Sequence, residues 1–162
     1  MFILFRALTY ATLFVGFLLI YLPARILSGT GLVRPATMGP PQIVGIVIGS
    51  AGALLALWCV STFVWVGKGT PAPFDPPRRL VIRGPYRFVR NPMYEGAGLA
   101  LGGAALYFLS EPLLVYGVLF LLAAHIFVVF YEEPTLKRSF GQDYEAYCHR
   151  VSRWRPWRSP AH

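Results

Sequence analysis

The chain reads as an all-α membrane protein of about four transmembrane helices with a short cytoplasmic C-terminal helical tail. Three observations carry that reading. Apolar residues make up 56% of the 162 residues and charged ones only 14%, against about 25% charged in an ordinary soluble domain. The apolar residues fall in four continuous runs, not in the alternating pattern of a membrane barrel. The positive charge, a formal net +8, gathers in two of the segments outside those runs. So apolar a chain has no soluble surface to spare for nucleic acid, and it carries no nucleic-acid motif. One domain over residues 1–162 is expected at this length.

The first run, residues 3–22, is broken only by Arg6. Nothing basic precedes Arg6 and no small-x-small cleavage site follows, so it reads as a retained span and not a secretory signal. The second run, 43–66, holds no charge. The third, 93–109, contains Glu95, and the fourth, 112–131, has His125 as its sole titratable group apart from tyrosine. A helix needs roughly 20 apolar residues to cross about 30 Å of hydrocarbon. Runs one, two and four meet that length, whereas run three is short. Only helices or closed barrels satisfy their backbone in lipid, so the runs are helices.

Charge placement orients them. Lys68, Arg78, Arg79, Arg83, Arg87 and Arg90 lie between runs two and three, opposed only by Asp75. Lys137, Arg138, Arg150, Arg153, Arg155 and Arg158 follow run four. Basic segments stay on the cytoplasmic side, which puts both termini in the cytoplasm. Trp58, Trp65, Tyr107 and Tyr131 stand near span ends and suit interfacial belts. Small size and minimal loops point to a bacterial inner membrane. The chain thus divides into a two-helix part (1–66), a Pro/Arg-rich connection (67–92), and a helical hairpin with its tail (93–162). Prolines 71, 73, 76 and 77 make the start of the connection an extended strap. Cys59 and Cys148 form no CxxC or Cys/His ladder, so they read as reduced thiols and no metal site is expected.

Four groups are expensive where they stand. Glu95 and His125 fall inside apolar runs, and an ionised side chain at mid-bilayer costs roughly 2.5–3.5 kcal/mol. Glu132 and Glu133 repel each other at the expected C-terminal end of run four, where the helix dipole prefers cations. Arg87, Arg90 or Arg138 can compensate them from the same side. The pair reads either as an acid cluster that merely ends the helix or as a ligand site. Asn91 is a good N-cap and Pro92 suits the first turn of run three. That helix N-terminus can receive an anion such as a ligand carboxylate. A short turn joins runs three and four, so this N-terminus and the acidic pair share one cytoplasmic rim. Gly96, Gly98, Gly102 and Gly103 mark a face where another helix or a ligand approaches closely.

The run Gly84-Pro85-Tyr86 followed by Arg90-Asn91-Pro92-Met93-Tyr94-Glu95-Gly96 resembles the GxY…RHPxYxG signature of integral-membrane methyltransferases. Glu132-Glu133, followed by Phe140-Gly141, Tyr144, Tyr147, Val151 and Arg153, continues the likeness. That superfamily joins isoprenylcysteine carboxyl methyltransferases and phospholipid methyltransferases, and the resemblance spans about residues 78–156. It implies S-adenosylmethionine as cofactor, bound from the cytoplasmic side by residues 93–162 and the preceding connection. Arg79, Leu80, Val81 and Tyr86 would line its adenosine. Arg90, Asn91, Pro92, Met93, Tyr94, Gly96 and Gly98 fall in and beside the RHPxYxG stretch, and Glu132 and Glu133 complete the cofactor set.

The resemblance also implies a lipophilic acceptor entering from the bilayer, either a prenylcysteine-like carboxylate or thiol or a phospholipid amine. Two departures stand out. Asn91 replaces the motif histidine, and residues His125 to Val129 hold no arginine to meet a prenylcysteine carboxylate. An amine acceptor needs a general base, for which Glu95 and His125 are the candidates; either can be structural instead. The tail's Arg150, Arg153, Arg155, Arg158, Trp154 and Trp157 read as a skirt for anionic headgroups. The competing reading of the whole chain is a non-catalytic lipid-binding or assembly module.

Overall fold

The computed structural model describes residues 15–31, 35, 37–67 and 80–155, and they form five helices. Helix α1 starts in a wide π-helical register over Val15–Tyr21 and continues as Leu22–Gly29. Helix α2 is Pro40–Thr62, prolonged by Phe63–Gly67; α3 is Pro92–Phe108; α4 is Glu111–Phe140; α5 is Gln142–Arg150. Among the described residues α2 and α4 are long and apolar enough to cross a bilayer. The expected strap (68–79), including Arg79, and the tail beyond Arg155 with Trp157 and Arg158 lie outside the described residues.

Local chemistry sets the helix ends. Pro40 and Pro41 open α2, where a missing N–H costs nothing, and the Gly39 N–H donates to the Gln42 side chain at 3.1 Å. Helix α3 closes on Leu109 in the left-handed region (φ 50°), with the Ser110 N–H reaching back to the Ala105 carbonyl at 2.9 Å. The Ser110 side chain then caps α4 by accepting from the Leu113 N–H at 3.3 Å. Two residues therefore turn α3 into α4 and make the helices antiparallel neighbours.

The closest packing is between α2 and α3, and it follows the glycine face. A Cβ on Gly52 would lie 2.5 Å from the Gly96 carbonyl oxygen, and one on Gly103 would lie 2.6 Å from the Gly45 carbonyl oxygen. Gly98 serves the other side, where a Cβ would meet Leu121 of α4 at 2.7 Å. Gly102 has nothing within 4 Å. The expectation of a close-approach face thus holds for Gly96, Gly98 and Gly103, and the partners are helices.

Helix α1 docks on α4 through Tyr116, whose hydroxyl donates to the Leu18 carbonyl at 2.7 Å. Pro23 lies five residues after Leu18 and has no N–H to offer it in the wide register that Val15–Tyr21 adopts. The tyrosine satisfies an acceptor that the helix itself leaves short.

Helix α4 departs from expectation. Glu132 and Glu133 do not end it; it runs on to Phe140. Pro134 normally breaks a helix because it lacks an N–H. Here Val128–Glu132 widens into a π turn, with the Glu133 N–H on the Val128 carbonyl, an i to i+5 bond. The wide turn accommodates the proline and presents the two acids sideways instead of at a helix terminus.

Candidate functional site

The π turn faces the start of α3. The Tyr94 hydroxyl donates to Glu132 Oε2 at 3.3 Å. Glu133 is gripped by two arginines: Arg153 Nε and Nη2 donate to its Oε1 and Oε2 at 2.7 and 2.8 Å, and Arg90 Nη1 stands 3.1 Å from Oε1. Paired N–H···O bonds of this kind from a guanidinium are among the stronger and more directional contacts a carboxylate makes. Of the compensating cations expected, Arg90 does serve. Arg138 is exposed, and Arg87 instead stacks 5.3 Å above the Phe88 ring. Arg153, read from the sequence as part of a headgroup skirt, turns inward.

The segment after α5 explains how Arg153 gets there. Gly141 (φ 51°) reverses the chain between α4 and α5, and Tyr144, Tyr147 and Val151 pack as a buried cluster with Leu80, Leu136 and Phe140. This is the one-sided helical face their spacing predicts. Ser152 then pairs with Val89 in a single parallel bridge, and the Arg90 N–H donates to the Ser152 carbonyl at 2.9 Å. Asn91 holds the N-cap position of α3 but its side chain caps nothing; its Nδ2 donates to the Arg153 carbonyl at 3.2 Å. The first N–H groups of α3 thus keep no side-chain cap.

A short 3-10 turn, Gly84–Arg87, closes the third side. Gly84 adopts φ +60° beneath Thr62 and Trp58 of α2, where a Cβ would lie 2.8 Å from Thr62 Oγ1. The Tyr86 carbonyl accepts the Tyr147 hydroxyl at 2.6 Å, and the Tyr86 side chain packs against Cys59 of α2. Burial pushes both phenols above their ordinary range, Tyr86 strongly, so they remain protonated donors.

Of the residues singled out in the sequence, Tyr86, Arg90, Asn91, Pro92, Tyr94, Glu132 and Glu133 converge here. Val81 and Met93 pack with Tyr86 around Cys59, and Leu80 lies under the α5 cluster. Gly96 and Gly98 are in helix contacts on either side of α3. Glu95 follows Tyr94 on the first turn of α3. Its Oε1 is buried and has no hydrogen-bond partner among the described residues, and the same is true of Arg90 Nε. His125 stands apart: it is exposed, and its Nδ1 accepts the Trp154 indole N–H at 2.9 Å. Cys148 is a reduced thiol, as its sequence context suggests, and Arg90 Nη1 lies 2.7 Å from its sulfur. Arg153 stands out in the sequence as a motif and tail residue, but nothing local marks it as a partner of Glu133.

A family model described as phospholipid methyltransferase matches residues 41–143, more than half of the chain. No curated relative and no solved structure matches it. The matched stretch runs from the start of α2 through α3 and α4, and so holds the Tyr94–Glu132 contact and both acids of the π turn. The chain therefore belongs to the phospholipid methyltransferase family of integral-membrane enzymes, which transfer a methyl group from S-adenosylmethionine to a phospholipid-type acceptor.

Proposed function

We propose that the acceptor is the amine of a phospholipid headgroup, methylated on nitrogen at the junction of α3 and α4. One observation carries this choice: both arginines of the cluster are committed to Glu133, while Glu132 and Glu95 have no cationic partner among the described residues. Glu133 engages both Arg90 and Arg153, whereas Glu132 meets only the Tyr94 phenol among its hydrogen-bond partners, and Glu95 Oε1 meets none among the described residues. A carboxylate acceptor would be repelled by these acids; an ammonium is attracted. Outside them, Arg83 and Arg87 are exposed and match the phosphate of a zwitterionic headgroup. The same two-layer charge pattern argues against a prenylcysteine carboxylate, as does the absence of an arginine between His125 and Val129.

The residues present also fit the cofactor. The uncapped N–H groups opening α3 suit its carboxylate, Glu132 suits its ammonium or ribose, and Leu80, Val81 and Met93 offer apolar contact to its base. Bound there, S-adenosylmethionine supplies an electrophilic methyl group on sulfur. The chain's own contribution is placement and dryness, and well-oriented reactants gain roughly 7–11 kcal/mol over free encounter. The acceptor ammonium must lose a proton before its lone pair can attack. Glu95 takes that proton, because its oxygen is buried and unclaimed while the His125 ring is exposed and engaged by Trp154. In this reading α1 to α4 all cross the bilayer with both termini cytoplasmic, and the site opens sideways to lipid.

The test is incubation of purified protein with labelled S-adenosylmethionine and mixed vesicles of phosphatidylethanolamine, phosphatidylglycerol and a prenylcysteine. Label in N-methylated phosphatidylethanolamine is expected. Label confined to a carboxyl ester overturns the choice of acceptor.

A further inference from the structure

Arg153 lies beyond the stretch the family model matches, yet it is the residue that ties the two halves of the site together. Its main chain holds α3: the carbonyl accepts Asn91 Nδ2 at 3.2 Å, one residue after Ser152 accepts the Arg90 N–H at 2.9 Å. Its side chain holds α4 through two bonds to Glu133, at 2.7 and 2.8 Å. The guanidinium is one-third exposed at 32%, against 13% for Arg90 and 18% for Glu133. It therefore closes the cluster from outside, over a carboxylate that Arg90 already meets from within.

We propose that Arg153 is a positioning residue for cofactor binding, which locks Glu133 and thereby presents Glu132. The inference rests on the reading that Glu132 contacts the cofactor. Glu132 and Glu133 are adjacent on a π turn, where the usual i to i+4 bonding is broken and Pro134 donates nothing. Two parallel bonds to a planar guanidinium fix the Glu133 carboxylate in orientation as well as in distance. Beside the fixed Glu133, Glu132 meets the Tyr94 hydroxyl at 3.3 Å. With both of its oxygens engaged, Glu133 is itself a poor cofactor ligand. The acidic pair divides into one carboxylate that is held and one that binds. Lysine in place of Arg153 keeps the charge but cannot make the two-point contact.

Kinetics of Arg153→Ala and Arg153→Lys, measured with their thermal midpoints in the same detergent, test this. KM for S-adenosylmethionine is expected to rise about tenfold or more in both variants, the affinity carried by roughly one charge-assisted contact at Glu132, while kcat stays near wild type. The double variant Arg153→Ala/Glu133→Gln is expected to be no worse than Arg153→Ala, because the two act as one unit. A merely structural role would lower the midpoint and the active fraction with KM unchanged, and would be relieved by lysine. Wild-type KM in Arg153→Ala overturns the proposal; if Glu132→Gln still loses cofactor affinity, the site itself stands. Wild-type KM in both Arg153→Ala and Glu132→Gln removes the proposal and the site together.

Discussion

Alanine at Gly103 is expected to destabilise the protein by about 3 kcal/mol or more, at the upper end of what overpacking costs, while alanine at the next position, Gly102, leaves it unharmed. The two substitutions add the same methyl group to adjacent positions of α3. In a helix interior each recovers about 0.8–1 kcal/mol of intrinsic propensity over glycine, so propensity cancels in the comparison. What remains is packing. A Cβ at Gly103 lies 2.6 Å from the Gly45 carbonyl oxygen and presses on the Gly49 backbone, whereas one at Gly102 has nothing within 4 Å. Backbone cannot rotate aside as a side chain can, so α2 and α3 must separate. That separation removes the platform on which Gly84, Tyr86 and the start of α3 are set. Thermal unfolding in detergent reads the difference directly. Equal midpoints for the two variants would mean that the glycine face does not hold the helices together.

The second large effect concerns proton removal. Glu95→Gln is expected to lower turnover on an amine acceptor by about 10²–10⁴-fold, the range in which a general base contributes. Affinity for S-adenosylmethionine should stay within about twofold of wild type, because glutamine is isosteric and Glu132, not Glu95, meets Tyr94. The sign of the pH dependence follows. A carboxylate base works only when deprotonated, so wild-type turnover falls as pH drops through its titration, and the glutamine variant loses that acid limb. Unchanged turnover with unchanged binding would assign the proton to another group, and Glu132 is the next candidate.

Much of this was legible in the sequence for reasons that are local. Glycines four and seven residues apart on an apolar helix announce a close approach, because nothing else there lacks a Cβ. Tyr144, Tyr147 and Val151 declare one buried face by spacing alone. The need for a cation near Glu132-Glu133 was equally plain, since two adjacent acids at a membrane rim repel.

Arg90 was legible as one answer to that need, but the second cation, Arg153, was not. Arg153 arrives by a chain reversal at Gly141 (φ 51°) followed by a single-residue bridge between Val89 and Ser152, and contacts that distant carry no periodicity. The length of α4 was hidden for a different reason. Pro134 is a sound stop signal unless the turn before it widens, and the bond from Glu133 to Val128 that widens it is a tertiary outcome. The Asn91 side chain was misplaced in the same way: its position is an N-cap, but the Arg153 carbonyl competes for it and wins. Trp154, grouped with the headgroup skirt by composition, donates to His125, a pairing that neither residue type announces.

The proposed function requires the opening turn of α3 and the acidic π turn of α4 to form one cofactor site. Calorimetric titration of detergent-solubilised protein with S-adenosylmethionine addresses it most directly, comparing wild type, Glu132→Ala and Glu145→Ala. Glu145 is an exposed acid paired with Lys137 at 2.7 Å, and serves as the control for charge alone. Micromolar binding is predicted for wild type and for Glu145→Ala. Loss of one charge-assisted contact, worth about 1.5–3 kcal/mol, should weaken Glu132→Ala tenfold or more. Glu132→Ala binding as tightly as wild type would contradict the account.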